Sequence, residues 1–168
     1  KPAGLSNITF CYTLCEPEQT CETAFAKKTN PTKAHCFLEH GFDRWGWTNG
    51  DFGEGTSTVH FDLFAGAAQC DETKGTKVGT VSLNYTDGAV KATFRTTDGF
   101  MMDEIQFYLG SEMFPLDNQG NPTVAPGLYP YKYEGLGGVT RFETTIDGMS
   151  GRLYFIGHAV VCGPFVAK

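Results

Sequence analysis

A chain of 168 residues fits about one domain, and a domain of that size buries roughly 70% of its unfolded surface without outside help. Its formal charge of -6, with 19 acidic against 13 basic residues and no cluster of Lys or Arg, argues against a nucleic-acid or anionic-membrane partner, since either needs a basic footprint. No apolar run is long enough to insert across a bilayer.

The first element in chain order is "EPEQTCETAFAKK", Glu16 to Lys28. Pro17 suits a first helical turn, Cys21, Ala24 and Phe25 share a helical face, and Asn30-Pro31 supplies a stop, so one short N-terminal helix is expected. Next, "HCFLEH" holds His35 and Glu39, which would share a face on a helix and are metal-ligand types, but no third ligand follows at a defined spacing. In "RWGWTNG", an extended backbone would point Trp45 and Trp47 to one face, with Gly46 opening space on the other. Such a strip either stacks on a sugar or a partner, or fills one end of a core.

From there period two dominates. Val59, Phe61 and Leu63 alternate with polar partners as in a strand with one buried face. "VGTVSLNYTDGAVKATFRT" reads as a hairpin, with Val81, Leu83 and Tyr85 going out, Asp87-Gly88 turning, and Val90, Ala92 and Phe94 returning. Ile105, Phe107 and Leu109 form another alternating set, as do Phe142, Thr144 and Ile146. The adjacent Asp103 and Glu104 point to opposite faces of their strand and so cannot converge as a catalytic pair. "DNQGNP" offers Asp117, Gln119 and Asn121 as weak calcium candidates around Gly120. It lacks the closing acid of an EF-hand, and turn chemistry explains the composition. No cofactor is predicted, although calcium stays open through carboxylates from distant strands.

"GLYPYKYEG" spaces Tyr129, Tyr131 and Tyr133 by two, and Pro130 bars that segment from the middle of a sheet. Edge tyrosines with wet hydroxyls are recognition residues, so this strip is the first candidate for a binding surface, ahead of Trp45 and Trp47. "GMSGR" misses the register of a nucleophile elbow and lies between strands, which makes Ser150 a turn serine. The last strand, "RLYFIGHAVVCG", is apolar on both faces: Leu153, Phe155, Ala159 and Val161 on one, Tyr154, Ile156, Val160 and Cys162 on the other. That predicts a central strand covered twice over, in which His158 is the titratable group that apolar neighbours would perturb most, with a hydrogen-bonded core histidine as the favoured reading over a functional one.

Short strands with Gly-rich turns and no internal repeat give an all-β chain, an antiparallel β-sandwich of jelly-roll-like or Ig-like type. It is expected as a single domain over 1–168, with 1–20 as an N-terminal extension. Cys11, Cys15, Cys21, Cys36, Cys70 and Cys162 make an even number and none forms a CxxC pair, so disulfides in an oxidising compartment are the better reading. A start at Lys1 with no apolar h-region fits a mature exported chain, and sequons at Asn7 and Asn84 would then be surface acceptors.

The blocks "CETAFA", "CFLEHGFDRWGWTNG", "FDLFAGAAQCD", "FYLGSEMFP", "VAPGLYPYKYE" and "GHAVVCG" together resemble a secreted domain of marine bacteria, over most of the chain from Cys21 to Cys162. The resemblance implies an exported domain framed by Cys21, Cys36, Cys70 and Cys162. It carries over no catalytic residue. The pairing expected is two bridges among those four and a third from Cys11 to Cys15, with the partners among the four left open.

The expected function is a secreted binding or adhesion module for an extracellular glycan or another outside surface. An extracellular hydrolase or metal-dependent enzyme on the same sandwich is the rival, and a carrier of a small apolar ligand between the sheets is a third reading. Convergence of His60, Asp62 and His158 in one cleft would favour the enzyme.

Overall fold

The computed structural model describes residues 19–55 and 57–166. Ten strands make one antiparallel sheet: β1 Thr20–Lys28, β2 Ala34–Cys36, β3 Trp47–Phe52, β4 Val59–Ala65, β5 Thr76–Thr86, β6 Ala89–Thr96, β7 Met101–Gly110, β8 Tyr131–Tyr133, β9 Arg141–Ile146 and β10 Leu153–Gly163. β10 is central, as its two apolar faces predict. β7 runs along Tyr154 to Cys162 on one edge, while the other edge is shared by β3, against Leu153 and Phe155, and β1, against His158 to Gly163. From β1 the sheet continues through β4, β5 and β6 to β9, and β8 extends it beyond β7.

The sheet curls until its two ends meet. The rings of Tyr133 in β8 and Phe142 in β9 lie 4.6 Å apart, Tyr133 Oη and Thr144 Oγ1 share a hydrogen bond of 3.0 Å, and Met102 bridges to Val139. The halves thus face each other as a sandwich around an inner core that includes Phe61, Leu63, Leu83, Phe94, Ile105, Phe107 and Phe155. All of these but Phe155, whose strand is apolar on both faces, belong to the alternating sets read from the sequence. Each such side chain contributes about 1.5–3 kcal/mol over leaving it in water. The β5–β6 hairpin turns at Asp87 and Gly88, with φ of 52° and 72°, in the left-handed region that Asp-Gly tolerates.

The expected N-terminal helix is not formed over the described residues. Thr20–Lys28 is a strand bonded on both edges, to β10 and to β4. Ala24 and Ala26 face the inner core and Phe25 the outer side, a period of two that the helical propensities of Ala, Glu and Lys disguise. Of the expected extension, only its last two residues are described, and Thr20 already belongs to β1. Asn49 closes the gap where β1 and β3 part along β10. Fully buried, it donates from Nδ2 to the carbonyls of Ala26 (2.9 Å) and Phe155 (3.2 Å) and accepts from the Lys28 amide (2.7 Å).

Two disulfides are present among the described cysteines: Cys21–Cys162, linking neighbours in β1 and β10 across 141 residues of chain, and Cys36–Cys70, across 34. In chain-entropy terms they restrict the unfolded chain by about 5 and about 4 kcal/mol. Cys11, Cys15 and Asn7 lie outside the described residues. No described helix is long and apolar enough to cross a membrane.

Candidate functional site

The outer face of the sheet carries a second, smaller core of Phe25, Cys36, Phe37, Trp47, Tyr108, Val124, Tyr129 and Ile156, roofed by the loops around residues 37–46 and 111–130. Where these loops leave β1 and β10 uncovered, a cleft of about 420 Å³ opens, lined by Thr23, Phe25, Asp43, Arg44, Trp45, Pro126 and His158.

Its wall is aromatic. Phe25 meets Trp45 edge to face at 5.3 Å and His158 at 5.0 Å, and Trp45 in turn meets Trp47 at 5.9 Å. The two indoles touch, but not as neighbours on one strand, since β3 begins at Trp47 and Gly46 breaks the extended backbone before it, and they divide the two roles between them. Trp47, 2% exposed, is core, while Trp45 is half-buried on the cleft. The space opposite Gly46 is filled by the Phe37 ring. A Cβ there would stand 2.4 Å from Phe37 Cε2, and φ at this position is +144°, so only glycine fits.

At the foot of the cleft His158, 6% exposed, is oriented by a chain of polar groups on β7. The Glu104 carboxylate can only accept, so the Gln106 amide turns its Nε2 toward it (3.1 Å) and presents Oε1 to His158 Nδ1 (2.6 Å). Nδ1 therefore carries the proton, and Nε2 holds a lone pair. Among the described residues Nε2 has no hydrogen-bond partner. Tyr85 Oη is the one fully enclosed side-chain N or O left unpaired among them, so Nε2 is not fully enclosed, and the cleft is the cavity that His158 lines. Burial, and then the Arg44 cation, push His158 down to about 4, which keeps the ring neutral at ordinary pH. Arg44 is exposed on the rim and forms no salt bridge among the described residues.

The tyrosine strip predicted as a recognition surface is divided. Tyr129 is 1% exposed and donates its hydroxyl to the Val124 carbonyl at 2.8 Å, which pins the loop carrying Pro126 against the cleft. Burial pushes its phenol far up, with Arg44 pulling the other way. Tyr131 and Tyr133 lie half-buried over Phe107, at 4.9 and 6.2 Å, and seal the inner core. As a surface contact Tyr129 is therefore corrected to a core residue. The reason is that Tyr129 lies outside the strand: Pro130 separates it from the one that Tyr131 and Tyr133 occupy, so spacing by two does not set its side.

The remaining candidates do not assemble. His60 is exposed on β4. Asp62 pairs with Lys77 at 2.7 Å and lines a different cavity from His158, so the three do not converge. His35 sits in β2 and Glu39 in a 3-10 turn, and the contact formed is between the rings of His35 and His40, at 6.1 Å. Asp117 Oδ1 accepts from the backbone amides of Asn121 and Gln119, both at 2.9 Å, and these bonds, with a further one from the Asn121 side chain, hold its carboxyl below the usual range, as a turn and not as an open set of cation ligands. No group of three His, Cys, Asp or Glu side chains is placed to hold a metal among the described residues. Ser150 is exposed in a loop, and Asn84 is half-buried on β5.

The cleft residues come from four separate stretches: Thr23 and Phe25, Asp43 to Trp45, Pro126, and His158. Reading the sequence singled out only Trp45 and His158 of these. Arg44 stood beside the tryptophans without a role, and Gln106 carried a faint signal as a polar residue at the same parity as Glu104. No family model, curated protein or solved structure matches this chain.

Proposed function

We propose that this chain is an extracellular binding module whose site is the cleft between Trp45 and His158, and that the site takes a saccharide. The observation that carries this is the unpartnered Nε2 of His158 at the foot of an aromatic-walled cleft. A sugar ring has a C–H face for an indole and hydroxyls at its edge, and such a hydroxyl can donate to that nitrogen. The volume falls in the range of ligand pockets, about 300–1,000 Å³. Phe61, Phe94, Phe107 and Phe155, all fully buried, occupy the space between the halves where an apolar ligand would have to lie. Export is supported by the two disulfides, which persist in an oxidising compartment.

A glycan array followed by titration of tryptophan fluorescence tests the proposal. We expect binding that is lost in Trp45→Ala and kept in Lys91→Ala, on the exposed side of β6. An array with no hits, or hits that Trp45→Ala leaves untouched, overturns it.

A further inference from the structure

We infer that the saccharide carries a carboxylate, seated on Arg44, while one of its hydroxyls donates to His158 Nε2. This rests on the saccharide-binding reading above and names the ligand class. Beside the Phe25–Trp45 wall the cleft lining offers two polar groups of opposite character, buried His158 and exposed Arg44. Glu104 orients Gln106, and Gln106 fixes the proton on Nδ1, so the inner end is an acceptor and nothing else. An anion finds no welcome there, and a hydroxyl does.

The rim end is the reverse. Arg44 offers a planar fork of donors and no acceptor, and its guanidinium is free of any carboxylate partner among the described residues, although Asp43 adjoins it in sequence. Its charge reaches the interior of the site, because both His158 and Tyr129 respond to it. Asp43, also lining the cleft, adds a second acceptor for ring hydroxyls. A neutral sugar satisfies His158 and Asp43 but offers Arg44 only neutral acceptors and no counter-charge. A sugar acid satisfies all three.

The test uses the whole chain with short galacturonate and glucuronate oligomers, their methyl esters, and a sulfated oligosaccharide of matched length, titrated by tryptophan fluorescence and calorimetry. The acids should bind about ten- to a hundred-fold more tightly than their esters, the span expected for a charge-assisted pair. Raising the salt should narrow the gap. Arg44→Gln should bring the acids down to the level of the esters with an unchanged melting curve, since Arg44 is exposed. His158→Phe should weaken acids and esters alike. Equal affinity for acid and ester, with Trp45 still required, overturns the carboxylate inference and leaves the saccharide site standing. Preference for the sulfated arm alone also overturns it. No binding in any arm overturns both.

Discussion

Taking the protein from about pH 7.5 to about pH 4.5 should remove about 2.5 kcal/mol of stability through His158 alone. Folding lowers this imidazole from the ordinary 6.5 to about 4, chiefly because β7, β10 and the Phe25 ring take it out of water. Between those values the unfolded chain binds a proton that the folded protein refuses. The stabilisation is therefore complete above about pH 6.5 and is lost as the pH falls toward about 4. A difference of about 2.5 units is worth about 3.4 kcal/mol at the limit, and roughly three quarters of that is gone by about pH 4.5. Asp51, Asp117 and Glu143 also titrate low; with ordinary values of 3.8, the two aspartates lose their contribution mainly below this window, while Glu143, with an ordinary value of 4.5, begins to lose its own at the lower edge in both proteins alike. Urea melts across the range, on the protein and on His158→Gln, measure the effect. The variant should flatten the curve between about pH 6.5 and 4.5, because a glutamine amide keeps a donor for Gln106 and does not titrate. If both proteins lose stability in parallel, or if the His158 ring titrates near 6.5 by NMR, the account of His158 as an imidazole held neutral by burial fails.

Trp47→Ala should cost about 3–5 kcal/mol in chemical melts as a buried aromatic, whereas Trp45→Ala should cost under half as much and abolish ligand binding; equal costs would mean that the two indoles do not divide as described. Asn49→Ala removes three bonds from buried backbone groups and should destabilise by about 3 kcal/mol or more, readable as a lower urea midpoint; a loss under about 1 kcal/mol would deny Asn49 its place between β1 and β3. Tyr85→Phe removes a buried hydroxyl without a partner and should raise stability by about 1 kcal/mol, so a lower melting temperature would refute that account. Tyr129→Phe should cost about 1–3 kcal/mol by leaving the Val124 carbonyl unpaired, and a neutral result would show that the loop is held by packing alone.

Strands whose two faces differ in polarity were legible because period two is a local signal. Val81, Leu83 and Tyr85 declare their face within one strand, and Asp87-Gly88 declares the turn. β10 was legible for a related reason, since apolar residues at both parities admit only a covered strand. β1 was not. Its Ala, Glu and Lys favour helix locally, and what makes it a strand is pairing with Phe61 to Ala65 and with His158 to Gly163, the latter more than a hundred residues away. The cleft was hidden by the same non-locality. His158 looked like a lone core histidine because Gln106, its orienting partner, lies 52 positions off. The tyrosine strip misled because spacing by two carries meaning only inside one strand, and Pro130 ends that strand before Tyr129.

The bond between Cys21 and Cys162 gives the domain a mechanical character. Residues 19 and 166 enter and leave beside this bond, so a pull applied through them is carried by sulfur before it can peel β1 from β10. The chain between the two cysteines feels little of that load. Phe25 and His158 sit four positions inside the shackle on either strand. A ligand held between them would be gripped by a site that keeps its shape while the chain around it is under tension.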